Sequence, residues 1–328
     1  MGELWARDAF TPLAAIAAET GEIELGTAIV KLFSRTPAVI AMSAATIDDV
    51  SDGRLTLGLG VSTKGGIESN HGMEFSRPVR RAHETIEIVQ HLLGDDDRVT
   101  YDGELLSVEG LPPLDADVPL YHAALGPANR RVVARLCDGG FPLVPFPKLD
   151  EAFDYVAGVA EEEGRDPDTI TVAPYVPAVV ADDGDEARAI AAAWRDGNHD
   201  GARALVTDEM LDALGIAGTP EAARQQLRDL VEEPVVTRPL VTPPSNASNE
   251  RITSTIEALA PGGSTESVRP AVPQLVAARS PSSPAYRVTD SVAEPGNGVE
   301  RSAMEPDRGR SVLRNVSDRA GAVTDVAT

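Results

Sequence analysis

Two glycine-bearing apolar runs, Ile23 to Val30 and Leu55 to Val61, flank a periodic stretch from Pro37 to Val50. That spacing predicts strand, helix and strand, and a crossover of this length joins parallel strands rather than a hairpin. Pro37 suits a first helical turn, and Ala38, Ala41, Met42, Ala45 and Val50 can face the sheet. Asp52-Gly53 then stops the helix. Gly58 and Gly60 sit two apart near the end of the second strand. Missing side chains there let other atoms come close to the backbone. Those atoms belong either to a packed barrel or bulge, or to a ligand, and spacing leaves both open.

The same alternation continues in both directions. Asp8 or Thr11 can cap an earlier helix with Pro12 in its first turn. After Val61 comes the stretch STKGGIESNHGMEFSRP, read as a long loop, and then a helix from Pro78 to Leu93. A hairpin follows around Asp102-Gly103, then a strand from Val118 to Leu125 and a helix from Ala128 to Leu136. The apolar run Phe141 to Phe146 is a further strand candidate, followed by a helix at Leu149 to Gly164 and a strand at Ile170 to Val176. Helices are expected at Asp185 to Ala193, Gly201 to Val206, Asp208 to Leu214 and from Pro220 behind a Thr219 cap. Val235 to Val241 reads as a last strand and Asn249 to Leu259 as a last helix.

Repeated parallel strands with helices between them suit a closed barrel or an open doubly wound sheet. A dinucleotide fingerprint would run from its glycines into a helix, whereas Gly58 to Gly65 is read as opening into a loop. That favours a barrel, whose ligand chemistry also lies on loops after the strands. Residues 261–328 lack any period and are rich in Ser, Pro, Gly and Arg, so a disordered tail is expected beyond a domain at 1–260.

Acids outnumber bases 52 to 29, for a formal charge of -23. Such a surface repels phosphate backbones and excludes nucleic acid as an expected partner. Only Lys31, Lys64 and Lys148 are lysines. This acidic, lysine-poor balance suits a halophilic protein, since high salt screens the repulsion. Cys137 is alone, which excludes an internal disulfide and a cysteine metal cluster. No apolar run approaches the roughly 20 residues needed to span a bilayer. The start has no signal-peptide pattern, so a cytoplasmic protein without a membrane partner is expected.

The five histidines show no metal-ligand spacing. His71, in the long loop, is a candidate to touch a ligand or simply solvent. Glu68, the carboxylate in that loop's glycine-rich part, is a candidate acid. His122, within a strand, reads first as a packed residue.

The string IELGTAIVKLFSRTPAVIAMSAATIDDVSDGRLTLGLGVS resembles the luciferase-like monooxygenase superfamily, in its coenzyme F420-dependent oxidoreductase branch. Supporting matches are His71-Gly72, PLYHAALGP at 119–127, DGGF at 138–141, GRDPDTITVAPYVP at 164–177 and TDEMLDALGIAGTPEAARQQL. The resemblance covers about residues 4–260 and is nearest to methylenetetrahydromethanopterin reductases. It implies a (β/α)8 TIM barrel of luciferase-like type with coenzyme F420, or alternatively FMN, at the carboxyl ends of its strands. It further implies a non-proline cis bond at Ala28-Ile29. By the same resemblance, Thr27, Ala28, Ile29, Gly60, Val61, Ser62 and Thr63 line the cofactor, and Ala124, Leu125, Gly126 and Pro127 bind its phosphate. The expected activity is hydride transfer to a small organic substrate, in a possible homodimer. The alternatives are an FMN-dependent monooxygenase or an inactive, binding-only remnant. Members of this family carry a strand and helix ahead of Leu4, so an incomplete barrel with open edges is expected.

Overall fold

Asp8 lies one residue ahead of the N-cap Ala9 of the first helix, and its Oδ1 accepts a hydrogen bond from the Thr11 N–H at 2.9 Å. In the computed structural model, which describes residues 1–3, 8–95, 97–195, 207–243 and 248–260, helix α1 spans Phe10–Glu19. Strands β1 (Leu25–Gly26) and β2 (Val30–Lys31) follow, separated by a cis Ala28-Ile29 bond where the resemblance implied one. Helix α2 (Pro37–Ser51) is capped by Thr36 and ends at Asp52 in the left-handed region. Strand β3 (Leu55–Gly60) then pairs in parallel with both β1 and β2.

The inward face of α2 matches the expected one at Ala38, Ala41 and Ala45 and departs from it at Met42 and Val50. Ile40, Ala41, Ala44, Ala45 and Ile47 are buried, whereas Met42 and Val50 face outward at 58% and 48% exposure. The two bulky isoleucines, seven apart, take the positions over the sheet, and that phase turns Met42 and Val50 away.

A second departure follows β3. Residues Lys64–His71, read as loop, form helix α3. Gly65 and Gly66 argue against a helix, but the Thr63 hydroxyl accepts the Gly66 N–H at 3.1 Å and Ile67 is fully buried as an anchor. A helix therefore does follow the glycine run. Strand order, not that loop, separates this fold from an open doubly wound sheet.

Helix α4 (Pro78–Leu93) and the antiparallel hairpin β4 (Val99–Asp102) and β5 (Ser107–Leu111) lie as expected. The hairpin is pinned by Glu84, whose buried carboxylate accepts the backbone N–H groups of Glu104, Leu105 and Leu106 at 2.9–3.0 Å. Strand β6 (Leu120–Ala123) leads into α5 (Pro127–Leu136). Strand β7 is Gly139–Phe141, not the run Phe141 to Phe146. The glycines belong in the strand because the Tyr121 ring occupies the space a Cβ at Gly139 would need, 2.7 Å away.

Helix α6 (Leu149–Glu162), β8 (Thr171–Val172) and β9 (Tyr175–Val180) come next. They are followed by α7 (Gly184–Arg195), α8 (Asp208–Asp212), β10 (Ile216–Gly218), α9 (Pro220–Val231), β11 (Leu240–Thr242) and α10 (Asn249–Leu259). Strand β10 was not anticipated, and the expected strand from Val235 begins only at Leu240. The helix expected at Gly201 to Val206 and the tail at 261–328 lie outside the described residues.

The strands run in the order β1-β3-β6-β7-β8, with β2 also on β3, and β10-β9-β11 forms a second parallel group. Sequential parallel pairing is the progression of a barrel wall, not the reversing order of a doubly wound sheet. Residues 1–3 lie along the outer edge of the first strands, where Ala28 N donates to Met1 O at 2.7 Å and Glu3 N to Ile29 O at 3.2 Å. Across the remaining gap, an exposed Arg238–Glu24 ion pair at 3.2 Å joins the approach to β11 with the approach to β1.

Leu55, Leu57 and Leu59 face the helices, so Thr56, Gly58 and Gly60 point inside. There Tyr121, Phe141 and Ala173 form an inner core against Ala28, Ile29, Ala123 and Leu240. A Cβ on Gly58 would fall 1.9 Å from Thr27 O and 2.6 Å from the Phe141 ring. Gly58→Ala is therefore expected to destabilise the fold by about 3 kcal/mol or more, read as a lower denaturation midpoint in high salt.

Candidate active site

The carboxyl ends of β2, β3 and β6 lie side by side, with Val30 beside Leu59, Lys31 beside Gly60 and Leu59 beside His122. Gly60 is enclosed there. A Cβ on it would meet Ile29 Cγ1 at 2.9 Å and Ala123 Cβ at 3.3 Å. Ile29, Gly60 and Ala123 thus build one smooth apolar wall, and the cis bond at Ala28-Ile29 stands within it. Thr27 is committed elsewhere: its buried hydroxyl donates to Gly58 O at 2.7 Å and accepts Gly58 N–H at 2.8 Å.

Three residues beyond Ala123, Gly126 occupies the N-cap of α5 without a side-chain cap. The first N–H groups of a helix lacking such a cap face outward with the positive end of the dipole, a setting suited to an anion. Nothing lies within 4 Å of where a Gly126 Cβ would stand. Arg130, one turn along, donates to Leu125 O at 3.1 Å while its buried Nε has no hydrogen-bond partner. Pro127 opens the helix, Leu125 is 61% exposed beside it, and Ala124 is buried in the core. An uncapped helix end with a guanidinium beside it fits a phosphate-bearing tail.

The loop after Gly60 supplies the rest. Ser62 adopts a left-handed φ of 63°, Val61 packs against the core, and Thr63 caps α3. Helix α3 ends at His71, whose Nε2 lies 3.2 Å from Lys31 Nζ. Glu68 instead faces outward beside Lys64 at 3.9 Å and accepts the Phe75 N–H at 3.4 Å. His71 is thus brought to the strand ends and Glu68 is not.

Sequence reasoning missed Lys31, Glu3, Arg35 and Arg130. Lys31 is buried at 5% exposure, and its N–H donates to Glu3 Oε2 at 3.3 Å. Glu3 is held by Arg35 at 2.7 and 2.8 Å and also accepts the Ala9 N–H at 3.1 Å. The available signal was a lysine inside an apolar strand of a chain with three lysines.

His122 points away from this wall toward α5, and its Nε2 lies 3.2 Å from Asn129 Oδ1. Burial holds its imidazole below the ordinary value, against the opposing pull of hydrogen bonds to Asn129 and the Leu59 backbone. A separate cleft of about 560 Å³ has Phe146, Leu149 and Ile216 in its lining and Asp212, Asp229 and Glu233 at its rim. Those carboxylates oppose an anionic ligand. Among the described residues no group of histidine, cysteine and carboxylate side chains could hold a metal ion, and no helix is long and apolar enough to cross a membrane.

A curved wall of sequential parallel strands, with an apolar rim and an anion-ready helix end at their carboxyl side, defines a ligand-binding α/β barrel. The family profile for luciferase-like monooxygenases matches residues 1–238, and the chain belongs to that family. It is 37% identical over 162 residues to a Mycobacterium tuberculosis protein provisionally named a coenzyme F420-dependent oxidoreductase, covering 45% of this chain and 47% of that protein. The chain therefore spans about half the length of that relative. It is 28% identical over 262 residues to the 5,10-methylenetetrahydromethanopterin reductase of Methanolobus tindarius, covering 69% and 79%. In fold it is similar to the F420-dependent tetrahydromethanopterin reductase structure from Methanopyrus kandleri, with a TM-score of 0.66 at 23% identity over 77% of this chain and 86% of that one.

His122 provides a check that separates packing from ligand contact. An unfolded histidine takes up a proton below its ordinary value of 6.5, while the buried one resists, so stability falls as pH drops below that value. His122→Ala is expected to cost about 2–4 kcal/mol at neutral pH and to flatten the loss of stability between pH 7 and 5. Denaturant titrations at the two pH values measure both effects.

Proposed function

We propose that this chain is an oxidoreductase that binds coenzyme F420 at the rim of β2, β3 and β6 and transfers a hydride between it and a small organic substrate. The observation that carries the reading is one arrangement: the Ile29–Gly60–Ala123 wall and the uncapped end of α5 stand on adjoining strand ends. The naming of two relatives for F420-dependent or methanopterin reduction supports the choice of cofactor.

When bound, the deazaflavin would supply the two-electron chemistry. The chain would do the rest. Ile29, Gly60 and Ala123 offer a flat apolar surface for a ring face, close because Gly60 has no side chain. The N–H groups of α5 and the Arg130 guanidinium hold the phosphate. Phe141 and Leu240, packed within the barrel interior, keep water from beneath the ring. Ser62 and Thr63 lie on the loop that would cover it.

The test is a titration of the purified full chain in high salt with F420, and separately with FMN, by fluorescence. Saturable F420 binding is expected. FMN binding in its place would move the chain to the flavin-dependent monooxygenases, and binding of neither would overturn the reading. Gly126→Val sharpens the result. Its backbone is extended (φ -106°, ψ 166°) and its Cβ would meet nothing within 4 Å, so the variant should fold. It is expected to weaken F420 binding by about tenfold or more, roughly 1.4 kcal/mol, through obstruction of the helix end.

A further inference from the structure

We propose that Lys31 is the proton donor of this site, supplied from solvent through His71. The inference rests on the hydride-transfer reading above. Three observations on this chain lead to it.

First, Lys31 is out of character. The chain has 29 basic residues and only three are lysines. Lys64 and Lys148 have side chains 72% and 63% exposed, whereas Lys31 is 5% exposed. A buried cation needed only for charge is served better by arginine, the identity of 26 of the 29 basic residues. Lysine is the basic residue that can give up its proton inside a protein.

Second, its place is right. Lys31 is in register with Gly60 at the end of β2, two residues beyond Ile29, so it stands beside the apolar wall. Third, it has a route to water. Nζ lies 3.2 Å from His71 Nε2, and His71, the last residue of α3, is half-buried. In the proposed pair the Lys31 ammonium donates to Nε2, which requires the neutral ring to carry its proton on Nδ1. Glu3 faces the Lys31 backbone, and Arg35 meets that carboxylate at both oxygens.

The step balances. When bound, the deazaflavin would supply the hydride to the carbon of a polar double bond C=X, and the Lys31 ammonium would donate the proton that X takes up as the π pair moves onto it. Solvent then protonates His71 at Nε2, and the imidazolium passes that proton to the Lys31 amine, which returns the ring to its Nδ1–H form. An isolated carbon–carbon double bond offers no such heteroatom.

The first test needs neither cofactor nor substrate. Long-range ¹H–¹⁵N correlation on the full chain reads the His71 tautomer, expected as Nδ1–H in the wild type and in Lys31→Arg, and lost in Lys31→Met. An Nε2–H ring in the wild type, or one unchanged in Lys31→Met, overturns the pair. The second test follows F420H2 oxidation against aldehydes, ketones, cyclic imines and conjugated alkenes. Lys31→Arg keeps the charge but cannot release its proton, so kcat should fall by about 100-fold or more with F420 affinity unchanged. Ethylamine should restore turnover to Lys31→Ala. Wild-type kcat in Lys31→Arg, or turnover confined to alkenes, overturns the proposal. Failure of the wild type to bind F420 would sink the parent reading instead, leaving the tautomer result to decide the Lys31–His71 pair.

Discussion

Everything in this fold depends on how the inside of the parallel sheet is filled. Two aromatic rings, Tyr121 and Phe141, sit there with centroids 5.5 Å apart, and each lies where another strand has given up its side chain. Phe141 occupies the space over Gly58, and Tyr121 the space over Gly139. Large against small across facing strands is how a narrow barrel packs without voids or overlap. The Thr27 hydroxyl then ties β1 to β3 through both backbone groups of Gly58. Packing and hydrogen bonding agree on one register, and that register brings Ile29, Gly60 and Ala123 together at the rim.

Much of this was legible in the chain. The strand–helix–strand unit at its head, the Thr36 and Thr219 caps, the Asp52 stop and the hairpin at Asp102-Gly103 all follow from local chemistry, and the structure shows each of them. Local signals failed where tertiary contacts outvote them. Helix α3 forms through two glycines because Thr63 and the buried Ile67 hold it. Strand β7 uses Gly139 and Gly140 in preference to the more apolar residues after them, because Tyr121 is already there. In α2 only Met42 and Val50 depart from the expected face, because alanines fit either side and Ile40 and Ile47 fix which one turns inward.

The candidate site was legible to a lesser degree and for a different reason. Glycines announce missing volume, so Gly58, Gly60 and Gly126 stood out, but a glycine does not say what fills its space. For Gly58 the occupant is Phe141; for Gly126 it is open space above a helix end. Paired side chains from separated stretches, such as Lys31 with His71 or Glu3 with Arg35, leave no spacing signature at all. Their meeting depends on a register that only the assembled sheet defines.

The inner core also divides labour along the chain. Ala28, Ile29, Tyr121, Ala123 and Phe141 come from its first half, while Ala173 and Leu240 complete it from the second. The rim residues from Glu3 to Arg130 form a contiguous inheritance, and the opposite flank is contributed by β8, β9 and β11. A substitution at Ala173 or Leu240 therefore alters what borders the barrel interior without touching the Ile29–Gly60–Ala123 wall.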